Sequence, residues 1–100
     1  MKEKSVKTCL LLDFYGALLT EKMMRIMDLY YNEDFSLSEI AESEGISRQG
    51  VFDCVKRSEA QLEDFEKTLG LAKLHGQIEK ATKLLEQNEP DKALEILKNV

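Results

Sequence analysis

The residue types best suited to binding chemistry lie in one short stretch, residues 47–57. Ser47, Arg48 and Gln49 open a segment with helical spacing directly after a predicted turn. Polar and cationic side chains at the N-terminus of such a helix are the ones that reach base edges or phosphates in nucleic acids. The stretch holds three cations and one carboxylate, a net charge of +2, whereas the whole chain carries −5. The sequence therefore predicts a local polyanion-binding surface on an acidic chain.

The side chains of this stretch, together with one serine before it, have expected roles. Arg48 and Gln49 are expected to read bases, with Phe52 and Asp53 next in line on the same helix. Four residues are expected to hold phosphates: Ser36, Ser47, Lys56 and Arg57. Phosphate contacts supply most of the affinity in DNA binding. Because three cations are few, we expect one copy of the chain to bind duplex weakly and a dimer to bind it better.

The aromatic residues have two interpretations. An exposed Phe52 would stack on an RNA base or insert into a partner. The alternative is that the N-terminal helix of the chain, or a dimer mate, covers it. Tyr15, Tyr30 and Tyr31 are expected in the core or at its edge.

Two short helices and a tight turn are predicted to position these side chains. Ala41 is small enough to let a second helix cross closely, and Gly45, four residues later, tolerates the positive φ of a turn. Ser36 and Ser47 are good N-caps, and Glu39 completes a capping box with Ser36. The apolar residues that would hold the two helices together are Ile40, Ile46, Val51 and Cys54. This combination predicts a helix-turn-helix.

Apolar spacing predicts an all-α chain throughout. The predicted helices span 5–18, 21–31, 37–44, 48–69, 71–87 and 91–99. In the first, Val6, Leu10, Phe14, Ala17 and Leu18 recur at helical spacing. In the second, Met23, Ile26, Met27 and Tyr30 are expected to face inward. We interpret residues 1–70 as a helix-turn-helix domain and residues 71–100 as a C-terminal helical extension for packing or dimerisation, within a single structural unit.

The C-terminal helices carry more leucine than a small helix-turn-helix core needs. The apolar series is Leu62, Leu69, Leu74, Ile78, Leu84, Leu85, Leu94 and Leu97. In the fifth helix, Leu74, Ile78, Ala81, Leu84 and Leu85 recur at helical spacing. The last helix is expected to bury Ala93, Leu94 and Leu97, with Ile96 as a further candidate. The series either folds back on the domain or packs against a second chain. Since isologous dimers are the commonest assembly, we expect a homodimer.

No residue cluster suggests an enzyme. Cys54 has no base near it in the sequence, and the lone His75 excludes a multi-histidine metal site. The remaining candidate carboxylates are spread over four predicted helices, where nothing would tune a pKa: Asp13, Asp28, Glu39 and Asp53. The sequence has no phosphate loop, nucleophile motif or metal-ligand spacing. We therefore predict a binding protein that is not an enzyme and uses no cofactor or metal.

Cysteine usage and hydropathy indicate a cytoplasmic protein. The two cysteines lie far apart and outside any CxxC motif, so they do not form a disulfide framework. The longest apolar run is four residues, 9–12, before Asp13 interrupts it. A run this short predicts neither a transmembrane helix nor a secretory signal. We expect reduced thiols, a cytoplasmic location and no membrane insertion.

Residues 14–65 resemble the YlxM family of small bacterial proteins. The features that fit this family are the Tyr30-Tyr31 pair, the run Asp34-Phe35-Ser36-Leu37-Ser38-Glu39-Ile40-Ala41 and the triplet Ser47-Arg48-Gln49. More distantly, residues 19–62 are similar to the −35-element-binding region of sigma factors. The resemblance implies an all-helical cytoplasmic protein. It also implies a part in the signal recognition particle pathway, because such proteins are encoded beside the GTPase of that particle.

Two hypotheses about function follow. In the first, the protein is a DNA-binding regulator associated with the signal recognition particle pathway. In the second, it does not bind DNA and contacts the particle's GTPase or its RNA through the same helix face. The second hypothesis gains support at Gly50 and Phe52, because the matching positions of sigma-like recognition helices are commonly basic.

Overall fold

The computed structural model describes residues 5–100, which form α-helices joined by short turns and contain no strand. The all-α helix-turn-helix fold predicted from the sequence is confirmed. The helices are α1 (Val6–Tyr15), α2 (Glu21–Tyr31), α3 (Leu37–Glu44), α4 (Arg48–Leu69), α5 (Leu71–Glu86) and α6 (Pro90–Lys98), and a 3₁₀ turn at Gly16–Leu18 follows α1. Apart from the end of α1, every boundary lies within one residue of its prediction.

The chain divides into two compact units, Met1–Thr68 and Leu69–Val100. The first unit holds α1, α2, α3 and nearly all of α4. The second holds α5 and α6, which pack on each other. The predicted nucleic-acid-binding residues all belong to the first unit, so its packing decides how they are presented.

A hydroxyl side chain begins each helix of the first unit. Its oxygen accepts a hydrogen bond from the backbone N–H three residues later, which satisfies one of the unpaired donors of the first turn. These caps are Ser5 to Thr8 (3.3 Å), Thr20 to Met23 (3.2 Å), Ser36 to Glu39 (3.1 Å) and Ser47 to Gly50 (2.9 Å). The helix starts are therefore encoded locally, which explains why the sequence places them well.

The turn between α3 and α4 is closed by Gly45. Its φ of 68° lies in the left-handed region, which glycine enters without the steric cost that a side chain adds. The backbone N–H groups of Gly45 and Ile46 both point to the carbonyl oxygen of Ala41, the second at 3.1 Å. The chain therefore reverses at Gly45 and enters α4 two residues after Ile46, as predicted for a helix-turn-helix.

One face of α4 is buried in the core of the first unit. Val51, Val55, Ser58 and Leu62 are buried at spacings of four, three and four residues, the period of one helix face. Ser58 is completely buried, and its hydroxyl has no hydrogen-bond partner among residues 5–100. All four predicted inward residues of α2 are also buried: Met23, Ile26, Met27 and Tyr30.

The apolar residues whose spacing indicates the first helix do not form its buried face. Val6, Leu10 and Leu18 are 85%, 42% and 55% exposed, Phe14 is half-buried and Ala17 is exposed. The buried residues are instead Leu11, Leu12, Tyr15, Gly16 and Leu19. A regular helical period fails here because α1 ends at Tyr15 and the chain tightens into the 3₁₀ turn.

Close packing at the 3₁₀ turn explains why the chain bends there. A Cβ atom on Gly16 would lie 2.6 Å from Sδ of Met24, a distance that side-chain carbons do not adopt. The missing side chain lets the turn lie against α2. At the preceding residue, the Tyr15 hydroxyl donates to Oε1 of Glu66 at 2.5 Å, and its ring lies 6.0 Å from Phe65. These contacts fix the Tyr15 face of α1 towards the core.

The second unit buries very little. Its fully buried residues are Ala81 and Ala93, 2% and 1% exposed. The expectation that the last helix buries Ala93, Leu94 and Leu97 is confirmed for Ala93 and wrong for the two leucines. Among the larger apolar residues of both helices, only Leu84 and Ile96 are half-buried. The exposed ones are Leu69, Leu71, Leu74, Ile78, Leu85, Leu94, Leu97 and Val100, between 36% and 56% exposed. The two helices thus meet through small residues and leave their large apolar side chains at the surface.

In the described part of the chain, no helix combines the length and the apolar character needed to cross a membrane.

The buried face of α1 predicts that alanine substitutions at the neighbouring residues Leu11 and Leu10 differ in their effect on stability. Leu11→Ala removes a side chain that is 2% exposed and should lower the free energy of unfolding by about 2–5 kcal/mol through lost burial and the cavity left behind. Leu10→Ala is the matched control and should lower it by less than about 1 kcal/mol, because Leu10 is already largely in water. Urea unfolding of both variants measures the difference. A larger loss for Leu10 would contradict the observed face.

Candidate nucleic-acid interface

The structure brings most of the predicted binding residues together on the first three turns of α4. Ser47 caps the helix, and Arg48 and Gln49 are exposed in its first turn. Phe52 is 41% exposed, Asp53 and Arg57 are exposed, and Lys56 is half-buried. Ser36 lies outside α4 and is the half-buried cap of α3.

The residues on α4 fall into two stripes. Gln49, Asp53 and Arg57 follow one another at intervals of four and share the face opposite the buried one. Arg48, Phe52 and Lys56 also follow at intervals of four, and they lie on the flank between that exposed face and the core. The helix therefore offers a polar outer stripe and a mixed inner stripe.

In the outer stripe, Nε2 of Gln49 donates to Oδ1 of Asp53 at 2.9 Å. This bond fixes the orientation of the Gln49 amide and leaves the amide oxygen facing solvent as an acceptor. Arg57, one turn further, has no ion pair with any residue from 5 to 100. The stripe therefore combines an oriented hydrogen-bonding pair with one available cation.

In the inner stripe, Lys56 is engaged by its neighbours. Its Nζ lies 5.6 Å from the ring centroid of Phe52 and 3.4 Å from Oε1 of Glu59. A cation over an aromatic face and beside a carboxylate is partly neutralised. Arg48, at the start of the same stripe, has no ion pair with the residues that the structure describes. Of the three cations on α4 that were predicted to meet nucleic acid, Arg48 and Arg57 are thus the available ones.

Two of the three acidic residues of α3, Glu39 and Glu44, have partners within the first unit. Glu44 accepts a forked pair of hydrogen bonds from Arg25, 2.9 Å from Nε and 2.8 Å from Nη2, and these bonds hold the pKa of Glu44 below its usual value. Glu39 accepts the backbone N–H of Ser36 at 2.9 Å, and this bond lowers the pKa of Glu39. Both carboxylates are therefore held by local donors.

The pairing of charge decides which cations remain for a partner. The chain has more carboxylates than cations, and several cations of the first unit neutralise acidic residues of the same unit. Lys7 pairs with Glu63 and Lys56 with Glu59, as Arg25 does with Glu44. Exposed pairs of this kind contribute little stability. These pairs matter for binding, because each of the three cations already has an acidic partner within the protein when no polyanion is bound.

A cavity of about 260 Å³ lies beside the inner stripe. All four helices of the first unit contribute to its wall, with Phe52, Lys56 and Glu59 on the α4 side. On the α2 side, the Tyr31 hydroxyl donates to Oε2 of Glu59. Burial first, and then this hydrogen bond to the carboxylate, raise the pKa of Tyr31 above its usual value. The neighbouring Tyr30 ring meets that of Tyr31 edge-on, with the centroids 5.1 Å apart.

Sequence reasoning missed this cavity and the pairing of Tyr31 with Glu59. The sequence predicts only that Tyr30 and Tyr31 lie in the core or at its edge, and it suggests no role for Glu59. Only the sequence of α4 gives an indication of the cavity, because the spacing of Phe52, Lys56 and Glu59 places them on one flank of that helix. The contributions of α1 and α2 depend on tertiary packing and leave no trace in local spacing.

No cluster of candidate metal ligands occurs in the part of the chain that the structure describes. The two cysteines, Cys9 and Cys54, are both half-buried and free. The α4 surface presents groups suited to binding another molecule: the cations Arg48 and Arg57, the Gln49–Asp53 pair and the partly exposed ring of Phe52.

Comparison with known proteins places the chain among relatives of the same kind. A family model described as "UPF0122: Putative helix-turn-helix protein, YlxM / p13 like" matches residues 2–100. A UPF0122 protein of Acetivibrio thermocellus is 49% identical over 98 residues, which are 98% of this chain and 74% of that protein. Another, from Thermoanaerobacter sp. (strain X514), is 58% identical over 69 residues, 69% of this chain and 59% of that protein.

A further relative, from Halalkalibacterium halodurans, is 47% identical over 87 residues, or 87% of this chain and 77% of that protein. The chain thus spans 59% to 77% of the length of these three relatives. The family match extends over both units and confirms the resemblance seen in residues 14–65. The chain belongs to the UPF0122 family of YlxM/p13-like helix-turn-helix proteins.

Proposed function

We propose that this protein is a nucleic-acid-binding regulator that acts through the N-terminal half of α4. The observation that carries the proposal is the availability of Arg48 and Arg57. Both are exposed on α4 and have no ion pair with residues 5–100, whereas Arg25 is held by Glu44 and Lys56 by Glu59. An acidic chain that leaves two arginines uncompensated on one helix has a surface suited to phosphate.

The helix-turn-helix geometry supports the same proposal. In such motifs the first residues of the second helix contact base edges while neighbouring groups contact the backbone. Arg48 and Gln49 occupy those positions, and the Ser47 cap fixes the start of the helix. Ser36 and Ser47 accept cap hydrogen bonds and keep their hydroxyl hydrogens for phosphate. The proposal describes a binding protein of the cytoplasm and not an enzyme.

The arginines give the proposal a direct test. Arg48→Ala and Arg57→Ala should each weaken binding to genomic DNA fragments severalfold at low salt and reduce the salt slope by about one, since each removes one cation that meets the polyanion. Lys67→Ala, which removes a cation from the far end of the same helix, is the matched control and should leave binding unchanged. Electrophoretic mobility shifts over a series of salt concentrations supply the measurement. An absence of any shift at every salt concentration would remove the proposal.

A second candidate function is protein or RNA contact within the signal recognition particle pathway. It rests on the family resemblance together with one observation, the exposed Phe52 ring on the same helix face as Arg48. Aromatic and arginine side chains in one patch are typical of the central residues of protein interfaces. For this candidate function, α4 contacts the GTPase of the particle or its RNA.

A pull-down from the native cell tests this second candidate. Wild-type protein should recover the GTPase or the RNA of the particle, and Phe52→Ala should recover severalfold less, because it removes the apolar centre of the patch. Phe35→Ala, which truncates a half-buried phenylalanine outside α4, is the control. Recovery of neither component by the wild type would count against the candidate.

We also propose that the protein is a homodimer formed through the second unit. The exposed residues Leu71, Leu74, Ile78 and Leu85 follow one another along α5 at intervals of three, four and seven residues, around Ala81, which is already buried in the packing of the unit. This spacing is that of the contact seam between paired helices. A two-helix unit of this length does not bury enough surface to be stable by itself, so its apolar face needs a partner. Dimerisation would also double the number of arginines that meet one nucleic acid.

Analytical ultracentrifugation of the whole protein tests the dimer. Ile78→Gln places an amide in the seam and should shift the equilibrium towards monomer by about tenfold or more, because it removes a large apolar side chain from the interface. Lys80→Gln introduces the same residue on the opposite face of α5 and should leave the equilibrium unchanged. A wild-type protein that sediments as a monomer at every concentration would contradict the proposed assembly.

A further inference from the structure

The cavity beside α4 has the size of a site for one flat ring system. Its volume of about 260 Å³ is below the roughly 300–1,000 Å³ of pockets that enclose a drug-sized ligand. All of its lining residues lie between Ser5 and Glu63, within the first compact unit. It therefore has room for a base and not for a complete nucleotide, whose sugar and phosphate would remain outside.

The wall of the cavity offers an aromatic surface at its rim. Phe52 lines the cavity and is 41% exposed, so part of its ring is accessible from solvent. Tyr30, which is 6% exposed, and Tyr31 also line the cavity, from α2. Aromatic side chains of this kind stack on the π-face of an unpaired base, and such stacking tolerates every base. The rim therefore provides general affinity for a flat heterocycle without selecting among bases.

The polar part of the wall provides selection. Oε2 of Glu59 accepts the Tyr31 hydroxyl, while Oε1 lies 3.4 Å from Nζ of Lys56. The hydroxyl-bearing Thr8 and Ser5 line the same cavity from the α1 side. A carboxylate accepts hydrogen bonds and donates none, so it pairs with the exocyclic amino group of adenine, cytosine or guanine. The carbonyl oxygens of uracil and thymine are acceptors that a carboxylate repels, and only the N3–H between them can pair with it, so these two bases are disfavoured.

The charges around the cavity are balanced, so a polyanion is not repelled. Glu59 is paired with Lys56 at 3.4 Å, and Glu63 is paired with Lys7 at 3.8 Å. Arg48 lies one turn before Phe52 and Lys56 one turn after it, which places a cation on each side of the ring along α4. Arg48, which has no ion pair with residues 5–100, is positioned for a phosphate that flanks a base stacked on Phe52, and Lys56 joins it only when it leaves Glu59.

We propose that this cavity binds a single unpaired nucleobase with an exocyclic amino group, taken from a single-stranded or looped segment of nucleic acid. The proposal rests on the function proposed above and makes it more specific, because a base within a duplex cannot leave its stack without unpairing. It adds a second binding element beside the arginine tip of α4. A nucleic acid with an unpaired base next to a helical stem would use both.

Fluorescence anisotropy with short labelled oligonucleotides tests the proposal on the full chain. Oligo(A) and oligo(C) should bind about fivefold or more tightly than oligo(U), and more tightly than a duplex of equal length. Phe52→Ala should weaken oligo(A) binding about tenfold, the loss expected for one stacked base. Phe35→Ala is the control and should have no effect. Ribose and deoxyribose versions of each oligonucleotide distinguish RNA from DNA as the source of the base.

A second variant tests the selecting group. Glu59→Gln replaces the carboxylate with an amide, which pairs with amino and carbonyl edges alike, so the preference for oligo(A) over oligo(U) should disappear while oligo(U) binding is retained. Circular dichroism confirms that each variant is folded. Equal binding of oligo(A), oligo(C) and oligo(U) by the wild type would overturn the proposal.

The outcomes separate this proposal from the function on which it rests. If Arg48→Ala weakens binding while Phe52→Ala and Phe35→Ala behave alike, α4 binds nucleic acid and the cavity holds no base. If no oligonucleotide and no duplex binds at any salt concentration, both proposals fail together. If Phe52→Ala abolishes capture of the particle's GTPase without changing oligonucleotide affinity, the cavity serves a protein side chain and the base-binding proposal is overturned.

Discussion

The presentation of the binding residues on α4 depends on one packing contact, the burial of a single face of that helix. Val51, Val55 and Leu62 are no more than 4% exposed, and burying side chains of this size contributes about 1.5–3 kcal/mol each. Because that face is fixed in the core, the rotation of α4 about its own axis is fixed as well. The outer stripe must then point away from the protein, and the inner stripe must lie along the edge of the cavity.

Features that depend on neighbouring residues could be predicted from the sequence, and features that depend on contacts between distant residues could not. Helix starts are predicted well because Thr20, Ser36 and Ser47 cap their own helices, and Gly45 forms the turn through its own φ. The buried face of α1 is not predicted, because its orientation depends on Tyr15 meeting Glu66, 51 residues later in the chain. The cavity is missed for the same reason, since Tyr31 and Glu59 are 28 residues apart.

The same contrast explains the second unit. Apolar spacing places α5 and α6 correctly, but it cannot tell a face that is buried from one that awaits a partner, since the two have identical patterns. Only the structure shows that Ala81 and Ala93 carry the packing while Leu74 and Ile78 stay exposed. A periodic apolar face predicts that something will cover it; it does not identify what covers it.

The hydrogen bonds of the cavity also explain how a base could be selected without a titrating group. The pKa of Tyr31 is raised, first by burial and then by the hydrogen bond to Glu59, so its hydroxyl keeps its proton throughout the physiological range. The hydroxyl therefore always donates to Glu59, and the carboxylate keeps its remaining oxygen towards Lys56. A base that brings an amino group to this oxygen competes with Lys56 for the same acceptor. Lys56 lies one helical turn from Phe52. Once a base has displaced it from Glu59, its ammonium group is available to the phosphate of the nucleotide that carries that base.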